Sequence, residues 1–162
     1  MKVQLFLLTL ILFTAFAGTG CEEIKSYPNT PDIDFSRFNY DDTILIFEFV
    51  DGDGNIGLDP PDTSPPYDLE NKYYHNLFLT ILEKEDGVFN PMEIEDSTFY
   101  RIPRIPEPTG QNKVTRGDIE LDMSIYGLWP DTFQFRFYIV DRDLNHSDTI
   151  VSPELTFSEA SL

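Results

Sequence analysis

The chain has 162 residues, 41% of them apolar and 14% aromatic, with 11 basic and 29 acidic side chains and a net charge of −18. A surface of that sign repels phosphate backbones and anionic lipid headgroups, which excludes nucleic acid as a partner and favours cations. One cysteine in the whole chain excludes an internal disulfide, so rigidity must come from an apolar core, from bound metal or from both.

In chain order, the first 21 residues read MKVQLFLLTLILFTAFAGTGC. Lys2 supplies a short positive region, residues 5–16 an apolar stretch, and residues 17–20 small side chains just ahead of Cys21. That order is the pattern of an export signal, too short and wrongly flanked for a stable membrane span. The segment resembles a bacterial lipoprotein signal, with Gly18-Thr19-Gly20-Cys21 in the place of the lipobox and Gly18 where leucine is usual. The resemblance implies a signal peptide over residues 1–20, cleavage before Cys21, diacylglycerol on the Cys21 sulfur and a membrane contact through that lipid. Plain secretion with a free thiol is the alternative. Cleavage there leaves 142 residues and removes Lys2, so 10 basic groups face 29 acidic ones and the net charge is −19. That length suits one domain with a sizeable core and would cramp two. Residues 21–31 lack apolar periodicity and carry Pro28 and Pro31, so they read as a lipidated tether, with the folded domain expected over residues 32–162. Glu22 and Glu23, with Lys25 near, resemble the acidic surface-export signal of lipoproteins in bacteria of the Bacteroidetes kind.

Beyond the tether the pattern predicts strand after strand, with no helical stripe of 11 residues or more. Residues 33–38 are a weak strand candidate, and residues 43–50 (TILIFEFV) are apolar on nearly both sides, as in a central strand. A proline-rich loop follows over 59–72, then a second doubly apolar run at 76–83 (NLFLTILE). Glu85-Asp86-Gly87 is a hairpin turn signal. Residues 98–102 are another weak candidate, followed by a loop with three prolines over 103–112. Residues 118–125 alternate strictly, with Ile119, Leu121, Met123 and Ile125 on one face, and residues 132–141 alternate through Phe133, Phe135, Phe137 and Ile139. The last run, 150–157, is interrupted by Pro153, which suits an edge. Seven strands and no helix predict an all-β fold, a seven-stranded β-sandwich of immunoglobulin or fibronectin type.

Directly behind the second run stands FVDGDGNIGLD. Asp51, Asp53, Asn55 and Asp59 occupy positions 1, 3, 5 and 9 of this loop, and Gly57 at position 7 can offer its carbonyl. Hard oxygen ligands at alternate positions suit calcium, and glycines let the backbone curl around an ion. An EF-hand is excluded: position 6 is Ile56, position 12 is Asp62, and a strand precedes the loop. The spacing recurs in DRDLNHSD as Asp141, Asp143 and Asn145. If the second and sixth strands run the same way, both loops lie at one end of the sandwich, where converging carboxylates repel unless protonated or bridged by a cation. The alternative is that Asp, Asn and Gly serve only as turn formers.

The lipobox, the DGDGNIG loop, the Arg101-Ile102-Pro103 segment and the D-x-x-x-N-x-S run from Asp141 to Ser147 together resemble small exported lipoproteins of the Bacteroidetes type with one immunoglobulin-like domain. The resemblance spans most of residues 21–157 and implies an outer-membrane location, surface-exposed or facing the periplasm, without an established activity. The residues themselves argue against an enzyme, since His75 and His146 are the only histidines and no nucleophile or metalloprotease motif occurs. A binding module fits better: Tyr67, Tyr73, Tyr74 and Trp129 lie in or near loops, where aromatic faces could stack on a glycan or an envelope protein. The favoured reading of these four side chains is nonetheless that the tyrosines cap strand ends and Trp129-Pro130 packs against the core edge. The expectation is therefore a calcium-stiffened, lipid-anchored binding module or accessory subunit. The alternatives are a metal-free structural lipoprotein and, less favoured, a glycan hydrolase using paired carboxylates. Asp-Thr-Ile at 42–44 and 148–150 matches a short O-glycosylation pattern of the same bacterial group.

Overall fold

The computed structural model describes residues 26–94, 98–127 and 129–157, so the signal peptide, Cys21 and the first half of the tether lie outside the described residues. Nine strands run in chain order: β1 (Asp32–Asn39), β2 (Ile44–Asp51), β3 (Leu77–Glu85), β4 (Val88–Pro91), β5 (Phe99–Tyr100), β6 (Thr115–Asp122), β7 (Thr132–Ile139), β8 (Ile150–Val151) and β9 (Leu155–Thr156). One sheet has the order β1-β2-β6 and the other β4-β3-β7-β8, with β5 added to β3 and β9 to β7. Every strand pair is antiparallel. The one described helical element is a 3-10 turn at Lys72–Tyr74, and no helix among the described residues is long and apolar enough to cross a membrane.

Side-chain alternation explains the two layers. In β7, Phe133, Phe135, Phe137 and Ile139 are all fully buried, while Gln134, Arg136 and Tyr138 point the other way. Leu45, Phe47 and Phe49 of β2 face them from the other sheet, with the Phe47 and Phe137 rings 4.9 Å apart. Removing each such side chain from water contributes roughly 1.5–3 kcal/mol, so β2 and β7 anchor the sandwich. Both strands deliver their C-terminal ends to the same pole.

The structure has nine strands where seven runs were expected, for two physical reasons. Pro153 supplies no N–H and splits the last run into β8 and β9, each paired with β7. The turn at Asp86 and Gly87, both at positive φ, returns the chain as β4, whose VFNP sequence is mostly exposed and has no alternation to read. The run at 98–102 shrinks to the two residues of β5. The run expected at 118–125 is β6, which starts at Thr115 and ends at Asp122, whose carboxylate accepts the Ser124 N–H at 2.8 Å; Ile125 therefore falls past the strand and is 61% exposed rather than inward.

Candidate cation site

β2 ends on Asp51, a carboxylate with 0% exposure at the last position of an apolar strand. Gly54, at φ 71°, then turns the chain sharply, and a Cβ there would run into the Lys113 carbonyl. β7 ends one residue before Val140, and Asp141 follows with 3% exposure. The two loops are tied to each other: Asn55 Nδ2 donates to Asp143 Oδ2 at 3.1 Å, and the Arg142 N–H donates to the Asn55 carbonyl at 3.3 Å. As a result Asp51, Asp53 and Asp141 each bring one carboxylate oxygen within 4.8 Å of the others.

The hydrogen bonding of this cluster is unequal. Asp141 is well served, its Oδ1 accepting the N–H groups of Asp143 (2.9 Å) and Asn145 (2.7 Å) and its Oδ2 accepting Asn145 Nδ2 at 2.7 Å. Asp51 Oδ2 accepts the Asn55 N–H at 2.8 Å. Asp51 Oδ1, Asp53 Oδ1 and Asn55 Oδ1 are buried and have no hydrogen-bond partner among the described residues. A buried oxygen left unpaired costs about 1–3 kcal/mol, so three at one pole are an uncompensated penalty. Burial pushes the Asp51 carboxyl up to about 6, with the charges of Asp53 and Asp141 adding to it and the Asn55 N–H working against it. Burial also raises Asp141, opposed by its bonds to Asn145 and Asp143 and reinforced by the charge of Asp53. Two exits are open to such a pole: take up a proton, which Asp51 and Asp53 could share, or take up a cation.

The other residues expected here divide. Asp59 lies away from the cluster: its Oδ2 pairs with Arg104 Nη1 at 2.9 Å and its carbonyl accepts Arg101 Nη2 at 2.9 Å. The Gly57 carbonyl accepts Arg142 Nη1 at 3.2 Å, so its oxygen serves a guanidinium. Asp143 and Asn145 hold Asn55 and Asp141 in place rather than adding oxygens to the cluster. Sequence reasoning missed the arginines. Arg142 bonds the carbonyls of Ile56 and Gly57 and pairs with Glu107, while Arg101 donates to the carbonyls of Tyr74, Asp59 and Asp62. An arginine between two aspartates signals charge balance, but its backbone partners lie far along the chain.

Three of the four aromatic residues stand near this pole, though each already has a partner. The Tyr67 hydroxyl donates to the Arg142 carbonyl, and burial followed by the charges of Asp143 and Asp141 raises its pKa. Tyr73 meets His146 Nε2 at 3.3 Å, and the Tyr74 ring lies 4.8 Å from the Arg101 guanidinium. Trp129 belongs elsewhere: it packs on Phe133 (5.0 Å), Phe38 (5.5 Å) and Phe157 (5.7 Å) at the opposite end of β7, as a core-edge side chain. No family model, curated protein or solved structure matches the chain. Function must therefore be argued from the site.

Proposed function

We propose that this protein is a lipid-anchored module of the bacterial outer membrane whose immunoglobulin-like β-sandwich is stiffened by one calcium ion and binds a glycan or an envelope protein, without catalysing a reaction. The observation that carries the metal is the set of three buried, unpartnered oxygens on Asp51, Asp53 and Asn55 beside the Asp141 carboxylate. Carboxylate and amide oxygens are the donors calcium takes, and an ion there would satisfy all three at once while offsetting the burial and the neighbouring charges that raise Asp51. The sheet order β1-β2-β6 against β4-β3-β7-β8 supports the immunoglobulin-like type. The lipid anchor and the location rest on residues 1–21 and their likeness to a lipoprotein signal.

A metal-free structural role is favoured by Asp141 alone, whose oxygens are already bonded as a turn former's would be. The unpaired oxygens of the other loop weigh against it. A thermal melt of the full chain in calcium and in EDTA separates the two. A ligand at about 100 times its dissociation constant adds about 2.7 kcal/mol, so calcium should raise the melting temperature by several degrees. An identical melt in both buffers would leave the metal-free role standing.

A further inference from the structure

On the outer face of β3 and β7, next to the β7 loop whose His146 stacks on Tyr138 at 5.6 Å, lies a cavity of about 510 Å³. Its wall is aromatic: Phe78 and Tyr138, cross-strand neighbours, stack at 4.9 Å with 12° between their planes, and Phe99 tilts onto Phe78 at 5.4 Å. Phe99 is 49% exposed, a large apolar ring turned to solvent. Lys72 and Arg136 line the same cavity, and among the described residues neither has a carboxylate partner, although acids outnumber bases 29 to 11. Among the described residues Arg37, Arg101, Lys113 and Arg116 also stand in no ion pair, so what sets Lys72 and Arg136 apart is their placement on one cavity. Lys72 Nζ also lies 4.5 Å from the Tyr73 ring centroid, and with Arg136 it gives one aromatic cavity two cations, complementary to an anion with an apolar face.

The topology narrows what that anion is. β3 is flanked by β7 on one side and β4 and β5 on the other, while β7 lies between β3 and the β8–β9 segments. Neither offers a free strand edge, so an extended peptide cannot add to the sheet here and recognition must run through side chains. The volume falls within the roughly 300–1,000 Å³ of small-molecule sites, room for one or two sugar rings. Arginine presents a planar fork that matches a carboxylate, lysine adds a point charge, and the Thr80 and Thr149 hydroxyls can exchange hydrogen bonds with sugar hydroxyls. We propose that this cavity binds a carboxylate carried on a sugar ring, the chemistry of a uronic-acid residue, with Arg136 and Lys72 holding the carboxylate and the Phe78–Phe99–Tyr138 wall taking the ring.

The proposal deepens the glycan branch of the function above but does not need its metal, so the test is run in EDTA, where calcium bridging of uronates is also removed. Trigalacturonate titrated into the full chain by calorimetry should bind saturably, at least about tenfold more tightly than the neutral galactose trimer, and more weakly as salt rises. Arg136→Gln and Lys72→Gln, both at exposed positions, should keep the wild-type melting temperature and each weaken binding about tenfold, as loss of one charge-assisted hydrogen bond does. Arg136→Lys should recover part of the loss. Absence of saturable binding, equal binding of the acidic and neutral trimers, unchanged binding in both glutamine variants, or tighter binding of a tetraglutamate peptide would each overturn it.

Discussion

The loops after β2 and β7 share one spelling, Asp-x-Asp-x-Asn, yet they use it in opposite ways. In the β7 loop the asparagine turns inward on its own aspartate, and Asn145 bonds Asp141 through both its backbone and its side-chain nitrogen. In the β2 loop Asn55 reaches across to Asp143 instead, leaving its own oxygen and one oxygen each of Asp51 and Asp53 without a donor. One copy is a self-satisfied turn and the other keeps three buried oxygens unpaired, which a shared proton or a cation would satisfy. The same spacing therefore leaves the two loops unequal, and the direction in which the amide is spent makes the difference.

The sharpest way to break this contrast is to substitute the two leading aspartates. Asp51→Asn removes a buried charge but keeps the acceptor for the Asn55 N–H, so in EDTA at pH 7.5 it should melt above the wild type and in calcium below it. A variant that melts below the wild type in both buffers would contradict the account of Asp51. Asp141→Ala deletes three hydrogen bonds as well as a carboxylate. It should lose about 1–3 kcal/mol even in EDTA, besides the calcium response, as measured by urea denaturation. Equal losses from Asp51→Asn and Asp141→Ala in EDTA would erase the difference between the loops.

Protons test the same asymmetry more gently. A carboxyl whose folded pKa lies above its unfolded value binds its proton more tightly when folded, so it stabilises the fold below the unfolded pKa and that contribution is lost as pH rises through the folded one. For Asp51 the window runs from the ordinary aspartate value of 3.8 to about 6. In EDTA, stability from this group should fall across that window, and the gain from calcium should be larger at pH 7.5 than at pH 5. The smallest effect is expected at Asp59, whose Arg104 partner is about two-fifths exposed. Asp59→Ala should cost under about 1 kcal/mol and leave the calcium-induced shift intact, whereas loss of that shift would return Asp59 to the ligand set.

Much of this arrangement was legible in the chain. Strict alternation placed Phe133 to Ile139 inward, and the shared direction of β2 and β7 brought Asp51 and Asp141 to one pole. What escaped depends on partners distant in sequence. Counting oxygens along the loop assigns Asp59 and Gly57 to an ion, but Arg104 and Arg142 arrive from other segments and take their oxygens. Trp129 packs on Phe38, Phe133 and Phe157, the core-edge reading of its place beside Pro130. β6 is displaced from its alternating stretch because its first residues, Thr115 to Asp118, form an exposed edge with no apolar pattern.

The central claim is that the β2 loop is completed by a cation. Isothermal titration of calcium into the full chain, with Asp51→Asn alongside, tests it most directly. One saturable ion per chain, absent in the variant, is the predicted result; no binding up to millimolar calcium, or equal binding by both proteins, would contradict it.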